Sequence, residues 1–142
     1  MFSNFEDYLP NFKIREEGGG VLLLVNKKWK DNYENVTFPK ENSDEIVGIH
    51  IKTQSQKLDV YCIYVPPNKH LNKITLNFIK ERKKEFILVG DLNAIMPDLN
   101  GRYNASGKIL ERQILEHNLV VLNNKKPTSY RFREKKKRTC RP

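Results

Sequence analysis

The segment from Leu58 to Val65 has apolar or aromatic side chains on both faces of a predicted strand. Side chains of a strand alternate between its two faces. One face carries Val60, Cys62 and Tyr64, and the other carries Tyr61, Ile63 and Val65. A strand with two apolar faces is typical of a sheet that is covered on both sides. This segment therefore predicts a sheet buried between two layers of the protein.

Short apolar runs and turn signals surround this strand. The predicted strands are Val21–Val25, Val36–Phe38, Ile46–Ile51, Leu58–Val65, Phe86–Val89, Leu119–Leu122 and Ser129–Arg133. Gln54–Lys57 is predicted to join two of them as a hairpin. A helix over Leu71–Lys84 is predicted from the spacing of Leu71, Ile74, Phe78 and Ile79. A second helix is predicted over Ser106–His117, with Ser106 as N-cap and Asn118 as left-handed cap. This order predicts an α/β or α+β domain with helices packed on a mixed sheet.

Composition excludes several classes of protein. Apolar residues make up 38% of the 142 residues and charged residues 30%, which suits a domain with a buried core. No apolar run is long enough to span a bilayer, and the first ten residues do not resemble a secretory signal. Cys62 and Cys140 lie in an apolar strand and a basic segment, which argues against a disulfide framework or a zinc site. A reducing, intracellular compartment, nuclear or cytoplasmic, is expected.

Most of the net positive charge lies near the C-terminus. The segment Lys125–Pro142 holds nine of the 26 Lys and Arg residues and one of the 17 acids, so it contributes +8 of the formal net charge of +9. Such a segment can hold a phosphate backbone through counterion release. A solvated, disordered lysine run is an equal alternative, because no aromatic side chain follows Phe132.

The residues from Phe86 to Asn93 form the sharpest local motif. An apolar strand ends at Gly90 and then presents the Asp91 carboxylate and the Asn93 amide two residues apart. Ligands of open α/β sheets bind at the carboxyl ends of strands. If the backbone stays extended, both side chains point the same way. The carboxylate would then orient or deprotonate a water, and the amide would fix it or contact phosphate. An ordinary turn is the alternative, since Gly, Asp and Asn favour turns.

Three further residues are candidates for substrate contacts. Tyr64 ends a predicted strand just before Pro66-Pro67-Asn68 and can offer its hydroxyl to a phosphate. Asn104 can hydrogen-bond a phosphate or the edge of an active site, and Thr128 follows Pro127. Each also has an ordinary structural interpretation, as a packing residue, a helix-start asparagine or a turn residue.

The order of these segments resembles a known family. The segments are Gly18–Val25, Glu45–Ile49, Tyr64–Asn68, Ile87–Ala94, Asn104–Leu110, Leu122-Asn123 and Pro127-Thr128. Over roughly Tyr8 to Tyr130 the chain resembles the apurinic-type endonuclease domain of non-LTR retrotransposons, which belongs to the endonuclease/exonuclease/phosphatase superfamily. The resemblance implies a sandwich of mixed sheets flanked by helices, hydrolysis of DNA phosphodiesters, and Mg²⁺ as cofactor. It also divides the chain into a partial domain over 1–130 and a basic tail, expected to be disordered, over 131–142.

The resemblance also implies roles for single residues. Asp91 is similar to the family aspartate that aligns the attacking water, and Asn93 to the asparagine that binds the scissile phosphate. Tyr64 is similar to the tyrosine that contacts phosphate. Asn104 is similar to a further DNA-contacting asparagine, and Thr128 falls in the family's threonine segment.

The sequence departs from the family pattern in two places. The family has a metal-binding glutamate before the Gly-Gly-Gly segment, and Glu6, Glu16 and Glu17 lack its context. It also has a late Asp-His unit, whereas no aspartate or histidine follows Tyr130. The expectation is a domain truncated at both ends, with no metal ligands of the family type and little or no activity by itself. The alternatives are a nucleic-acid-binding fragment without catalysis and a phosphatase of the same fold.

Overall fold

The computed structural model describes residues 5–14, 20–39, 44–52, 54, 57–97 and 102–123 of the 142-residue chain. Its strands are β1 (Tyr8–Ile14), β2 (Gly20–Asn26), β3 (Tyr33–Asn35), β4 (Glu45–Lys52), β5 (Lys57–Tyr64) and β6 (Glu85–Asp91). Its α-helices are α1 (Lys73–Glu81) and α2 (Ala105–His117), and short 3₁₀ helices cover Phe5–Asp7 and Lys27–Asn32.

The strands form two sheets. In the larger sheet, the order is β3-β4-β5-β6, with the first three strands antiparallel and β6 parallel to β5. In the smaller sheet, β1 pairs antiparallel with β2, and this sheet contacts β4 and β5. The predicted α+β architecture with a mixed sheet is therefore confirmed. Among the described residues, neither helix has the length and apolar composition needed to cross a bilayer.

The main core lies between the larger sheet and the helices. It contains Val36, Ile46, Tyr61, Ile63, Val65, Leu71, Leu76 and Ile79, with Ile109 and Leu110 of α2 packed against it. On the other face of the same sheet, Val47 and Ile49 of β4 are also buried, while Val89 of β6 is 46% exposed. The smaller sheet therefore covers the β4 side of this face and leaves β6 open. As predicted, β5 is an interior strand with side chains on two packed faces.

Both helices begin at asparagine caps. The side chain of Asn72 accepts a hydrogen bond from Ile74 N at the start of α1. The side chain of Asn104 accepts from Gly107 N at the start of α2. The prediction that Ser106 caps α2 is wrong: its hydroxyl is buried and accepts from Leu71 N at 3.3 Å. Asn118 does end α2 in the left-handed conformation, with φ of 51°, as predicted.

Three other predictions are corrected. The third strand is Tyr33–Asn35 rather than Val36–Phe38, although Val36 N still donates to Gly48 O. In α1 the buried positions are Thr75, Leu76 and Ile79, and Ile74 is 49% exposed, because its place on the first turn points away from the sheet. Leu119–Leu122 forms no strand with any described residue, and Val120 and Leu122 are each 80% exposed. An apolar run needs a neighbouring strand to become one.

The strand β1 was not predicted, because Tyr8–Ile14 contains a proline and most of its apolar residues lie on the exposed face of the strand. Phe12 and Ile14 are 57% and 71% exposed, whereas Asn11 on the alternate face is half-buried and donates to Gly48 O at 3.2 Å. The predicted strand at Ser129–Arg133, the boundary at residue 130 and the basic segment after Lys125 lie outside the described residues.

Candidate functional site

Tyr64 and Asp91 lie side by side where β5 and β6 end. They are register partners in the parallel ladder, and Val65 N donates to Asp91 O at 2.8 Å to close it. Neighbouring residues in register present their side chains on the same face of a sheet. The phenol and the carboxylate that the sequence singled out separately are therefore brought together at the carboxyl ends of two parallel strands, where α/β sheets bind ligands.

Gly90 makes this close pairing possible. Its φ is +136°, a conformation that residues with a side chain rarely adopt, and a Cβ there would lie 1.8 Å from Ile63 O. The backbone of β6 thus approaches β5 more closely than any other residue type permits. The glycine directly before Asp91 has a steric role that sets the position of the carboxylate.

The backbone turns sharply after Asp91. Asn93 has φ of +42°, so the backbone does not stay extended through this residue, and the condition for Asp91 and Asn93 to point the same way is not met. The Asp91 Oδ1 atom accepts from Asn93 N at 2.9 Å, and the Asn93 Nδ2 atom donates to Val65 O at 2.7 Å. An asparagine tolerates this left-handed conformation better than most residues. The turn holds Asn93 beside the end of β5, so both interpretations of the motif, a turn and a set of polar groups at the sheet's edge, describe the same residues.

Asn104 joins this turn to the start of α2. Its Nδ2 donates to Asn93 O at 2.5 Å, and its Oδ1 accepts from Ile95 N at 2.9 Å and from Gly107 N at 2.8 Å. A Cβ at Gly107 would lie 1.9 Å from Ile95 O, so helix and loop are in close contact. The Asn104 side chain therefore holds the 93–95 loop on the helix. Its contact with the edge of an active site or with DNA stays a prediction.

Glu45 belongs to the same row of residues, and the sequence analysis did not identify it as a site residue. It pairs with Tyr64 across the antiparallel ladder of β4 and β5, so Glu45, Tyr64 and Asp91 occupy one level on three adjacent strands. Its side chain is buried, with 5% exposed, while Asp91 is exposed. The register of the hairpin would have been the signal for this residue, because that register decides which residue of β4 faces Tyr64.

A second polar cluster lies at the opposite end of the same strands, on the helix side. Asp59 is 1% exposed and accepts from Tyr61 Oη at 2.6 Å and from Arg82 Nε at 2.5 Å, and His50 Nδ1 lies 2.6 Å from its Oδ1. Burial alone would raise the pKa of Asp59, but the hydrogen bonds from Arg82, Tyr61 and His50 outweigh it and lower that pKa. Burial and the bond to Asp59 raise the pKa of Tyr61. The interpretation of His50 as a structural residue agrees with these contacts.

The described residues contain no cluster of three side chains of the types that commonly bind a metal ion. No three His, Cys, Asp or Glu side chains among them come together, and Asp91 is the one exposed carboxylate at the ends of β5 and β6. Thr128 lies outside the described residues. Tyr64, Asp91, Asn93 and Asn104 are thus brought together, and their catalytic or binding roles stay predictions.

Comparison with known proteins identifies the family of the chain. A sequence model of the endonuclease-reverse transcriptase family matches residues 58–140, more than half of the chain. The match contains β5, α1, β6 and α2, the elements that carry the cluster around Asp91. The chain belongs to this family, and the resemblance to a retrotransposon domain of the endonuclease/exonuclease/phosphatase type is confirmed. No curated protein and no solved structure gives a significant match to the chain.

Proposed function

We propose that this domain hydrolyses phosphodiester bonds of DNA at the ends of β5 and β6. The observation that carries the proposal is the pairing of Tyr64 with Asp91 in register, beside the Asn93 turn. Family membership supports a substrate of nucleic-acid type.

Each of three side chains has a role suited to its chemistry. Asp91 uses one carboxylate oxygen to hold Asn93 N, and the other oxygen is the candidate to orient a water molecule. Tyr64 has a hydroxyl that can donate to a phosphoryl oxygen, and the Asn93 amide has a second hydrogen besides the one given to Val65 O. Asp91 would accept the proton of the water as the water oxygen bonds phosphorus, and the leaving sugar oxygen would take a proton from solvent as its bond to phosphorus breaks. The donors of Tyr64 and Asn93 would stabilise the charge on the phosphoryl oxygens.

Mg²⁺ is proposed as cofactor on the resemblance alone. When bound, it would supply charge stabilisation at the phosphate, and it commonly uses one or two carboxylates together with substrate oxygens. Because the described residues offer one exposed carboxylate at this place, no step is assigned to the ion. We also expect slow turnover, since catalytic groups act as a unit and the sequence holds no aspartate or histidine after Tyr130.

A nicking assay on supercoiled plasmid tests the proposal. With excess protein and Mg²⁺, slow conversion to open circles is expected from the parent chain, and none above background from Asp91→Asn. Asp31→Asn is the matched control, because Asp31 is also exposed but lies in the 3₁₀ helix of residues 27–32. Equal rates for the parent chain and Asp91→Asn would refute the role of Asp91.

The competing phosphatase function is tested with the same proteins. A phosphorylated small molecule such as p-nitrophenyl phosphate replaces the plasmid. Hydrolysis of this compound that depends on Asp91, together with no plasmid nicking, would replace the nuclease proposal with a phosphatase of the same fold.

A further inference from the structure

The groove between the two helices is lined by cations at the end nearest the Asp91 cluster. It has a volume of about 200 Å³ and is lined by Lys73 of α1 and by Lys108, Ile109, Arg112 and Gln113 of α2. Three of its five lining residues are cationic and none is acidic. Its chemistry therefore suits an anion.

The position of the cations in their helices strengthens this assignment. Lys73 is the first residue of α1, and Lys108 lies in the second turn of α2. Cations near a helix N-terminus oppose the helix dipole, and acidic residues would be favoured there. Neither α1 nor α2 has an acidic residue in its first turn. The positive potential at the two helix N-termini and the positive charges of the lysines therefore add to each other. This lowers the stability of the fold, and a bound anion would offset the loss.

The charge of the groove changes along its length. Arg112 Nε donates to Glu116 Oε1 at 2.7 Å, which uses one edge of the guanidinium. The pKa of Glu116 is lowered first by this hydrogen bond, and Lys80, near the end of α1, contributes to the same shift. Glu116 therefore neutralises the positive charge of Arg112, whereas the end of the groove at Lys73 and Lys108 stays positive.

The groove is connected to the candidate site by two direct contacts. Lys108 lies one helical turn after Asn104, whose Nδ2 donates to Asn93 O. Leu71 N, two residues before Lys73, donates to Ser106 Oγ, so the starts of α1 and α2 are joined. These contacts place the starts of both helices beside the 93–95 loop and the chain that follows β5.

We propose that the end of the groove formed by Lys73 and Lys108 binds a backbone phosphate of the DNA that flanks the phosphodiester to be cleaved. This inference rests on the proposed function for its substrate class. A free phosphate offers the same chemistry, so the experiment has to separate the two sources.

The main test is the salt dependence of DNA binding, measured by fluorescence anisotropy with a labelled duplex in EDTA, where no cleavage occurs. Lys73→Gln/Lys108→Gln removes two cations of the groove. Lys30→Gln/Lys57→Gln is the matched control, because these two lysines are exposed and lie away from both helices. Each lost phosphate contact lowers the slope of log K against log salt by about 0.9, so the groove variant, which loses its one phosphate contact, should lose about 0.9 and the control much less.

Equal slopes for the groove variant and the control would overturn the proposal. Folding is monitored by thermal melting, where the groove variant should melt at or above the temperature of the parent chain, because it removes the cation Lys73 from a helix N-terminus.

Titration with inorganic phosphate, followed by NMR at the Lys108 and Ile109 amides, separates the two sources of phosphate. Amide shifts with phosphate, combined with an unchanged DNA slope, would make the groove a free-anion site and overturn the assignment to DNA. A smaller salt dependence of DNA binding in the groove variant, together with no plasmid nicking by the parent chain, would refute the hydrolysis proposed above and would still support phosphate binding in the groove.

Discussion

The two ends of the central strands carry polar clusters that differ in how their groups are used. At one end, Asp59 is buried and its oxygens accept from Tyr61 and Arg82 beside His50. At the other end, Asp91 is exposed and one of its oxygens accepts from Asn93 N. A buried carboxylate whose oxygens are all occupied holds strands together, whereas an exposed one with an oxygen to spare can meet a substrate. The difference shows that burial and donor count, rather than residue type, distinguish the structural acid Asp59 from the candidate site acid Asp91.

The largest effect is expected from Gly90→Ala. The new Cβ would lie 1.8 Å from Ile63 O at a φ of +136°, so the end of β6 must move away from β5. We expect a loss on the order of 4 kcal/mol in the free energy of unfolding, measured by urea denaturation. A loss below about 1 kcal/mol would mean that the end of β6 is not held against β5.

Asp59→Ala should have the next largest effect. Removing the carboxylate leaves Arg82, which is 24% exposed, and buried His50 and Tyr61 without their acceptor. Breaking a buried pair costs about 3 kcal/mol in the free energy of unfolding. Glu85→Ala, an exposed acid at the same end of the sheet, is the control and should change stability by about 0.5 kcal/mol or less. Similar losses for the two variants would contradict the contrast between the clusters.

The pH dependence of stability should report the same buried acid. The pKa of Asp59 is lowered in the folded state, so its contribution to stability is present above the ordinary carboxyl pKa of about 3.9 and is lost as the pH falls through the lower, folded value. Urea unfolding between pH 5 and pH 2 should show a steeper acid loss in the parent chain than in Asp59→Asn. Parallel curves for the two proteins would argue against a lowered pKa.

Asn104→Ala should lower the free energy of unfolding by an intermediate amount. It removes the cap of α2 and two hydrogen bonds that hold the 93–95 loop, at a cost of about 1 to 2 kcal/mol. Hydrogen exchange at the Ile95 amide should accelerate more than exchange in β4. Asn72→Ala, which removes the cap of α1, is the matched control and should leave Ile95 unchanged.

The smallest effect on stability is expected from Asp91→Asn. The side chain is exposed and an amide oxygen still accepts from Asn93 N, so the free energy of unfolding should change by about 0.5 kcal/mol or less. A change as large as that of Asp59→Ala would show that the two clusters have the same structural role.

The sequence predicted the elements whose patterns reflect their own packing. The two apolar faces of Leu58–Val65 correctly placed β5 inside the sheet, and the predicted pairing of this strand with its predecessor in the chain is the antiparallel pair of β4 and β5. The sequence-based predictions failed where a neighbouring strand determines the structure. Tyr8–Ile14 is a strand because β2 lies beside it. Leu119–Leu122 has strand-forming residues but no partner among the described strands.

The same distinction holds for the site. Asp91 and Tyr64 were identified from their places at strand ends, and the parallel register joined them. The positive φ of Asn93 and the three bonds of the Asn104 side chain depend on the loop and α2 together, which local patterns do not encode. Glu45 entered the row only through the β4–β5 register.

The parallel pairing of β5 with β6 also has a consequence for the order of folding. The hairpin of β4 and β5 joins neighbours in sequence and can form early, whereas Tyr64 meets Asp91 only after the chain between them, including α1, has folded back along the sheet. Closing that loop costs chain entropy before any contact compensates for it. The phenol and the carboxylate therefore come together late, and a newly synthesised chain acquires its candidate site only after much of its core is in place.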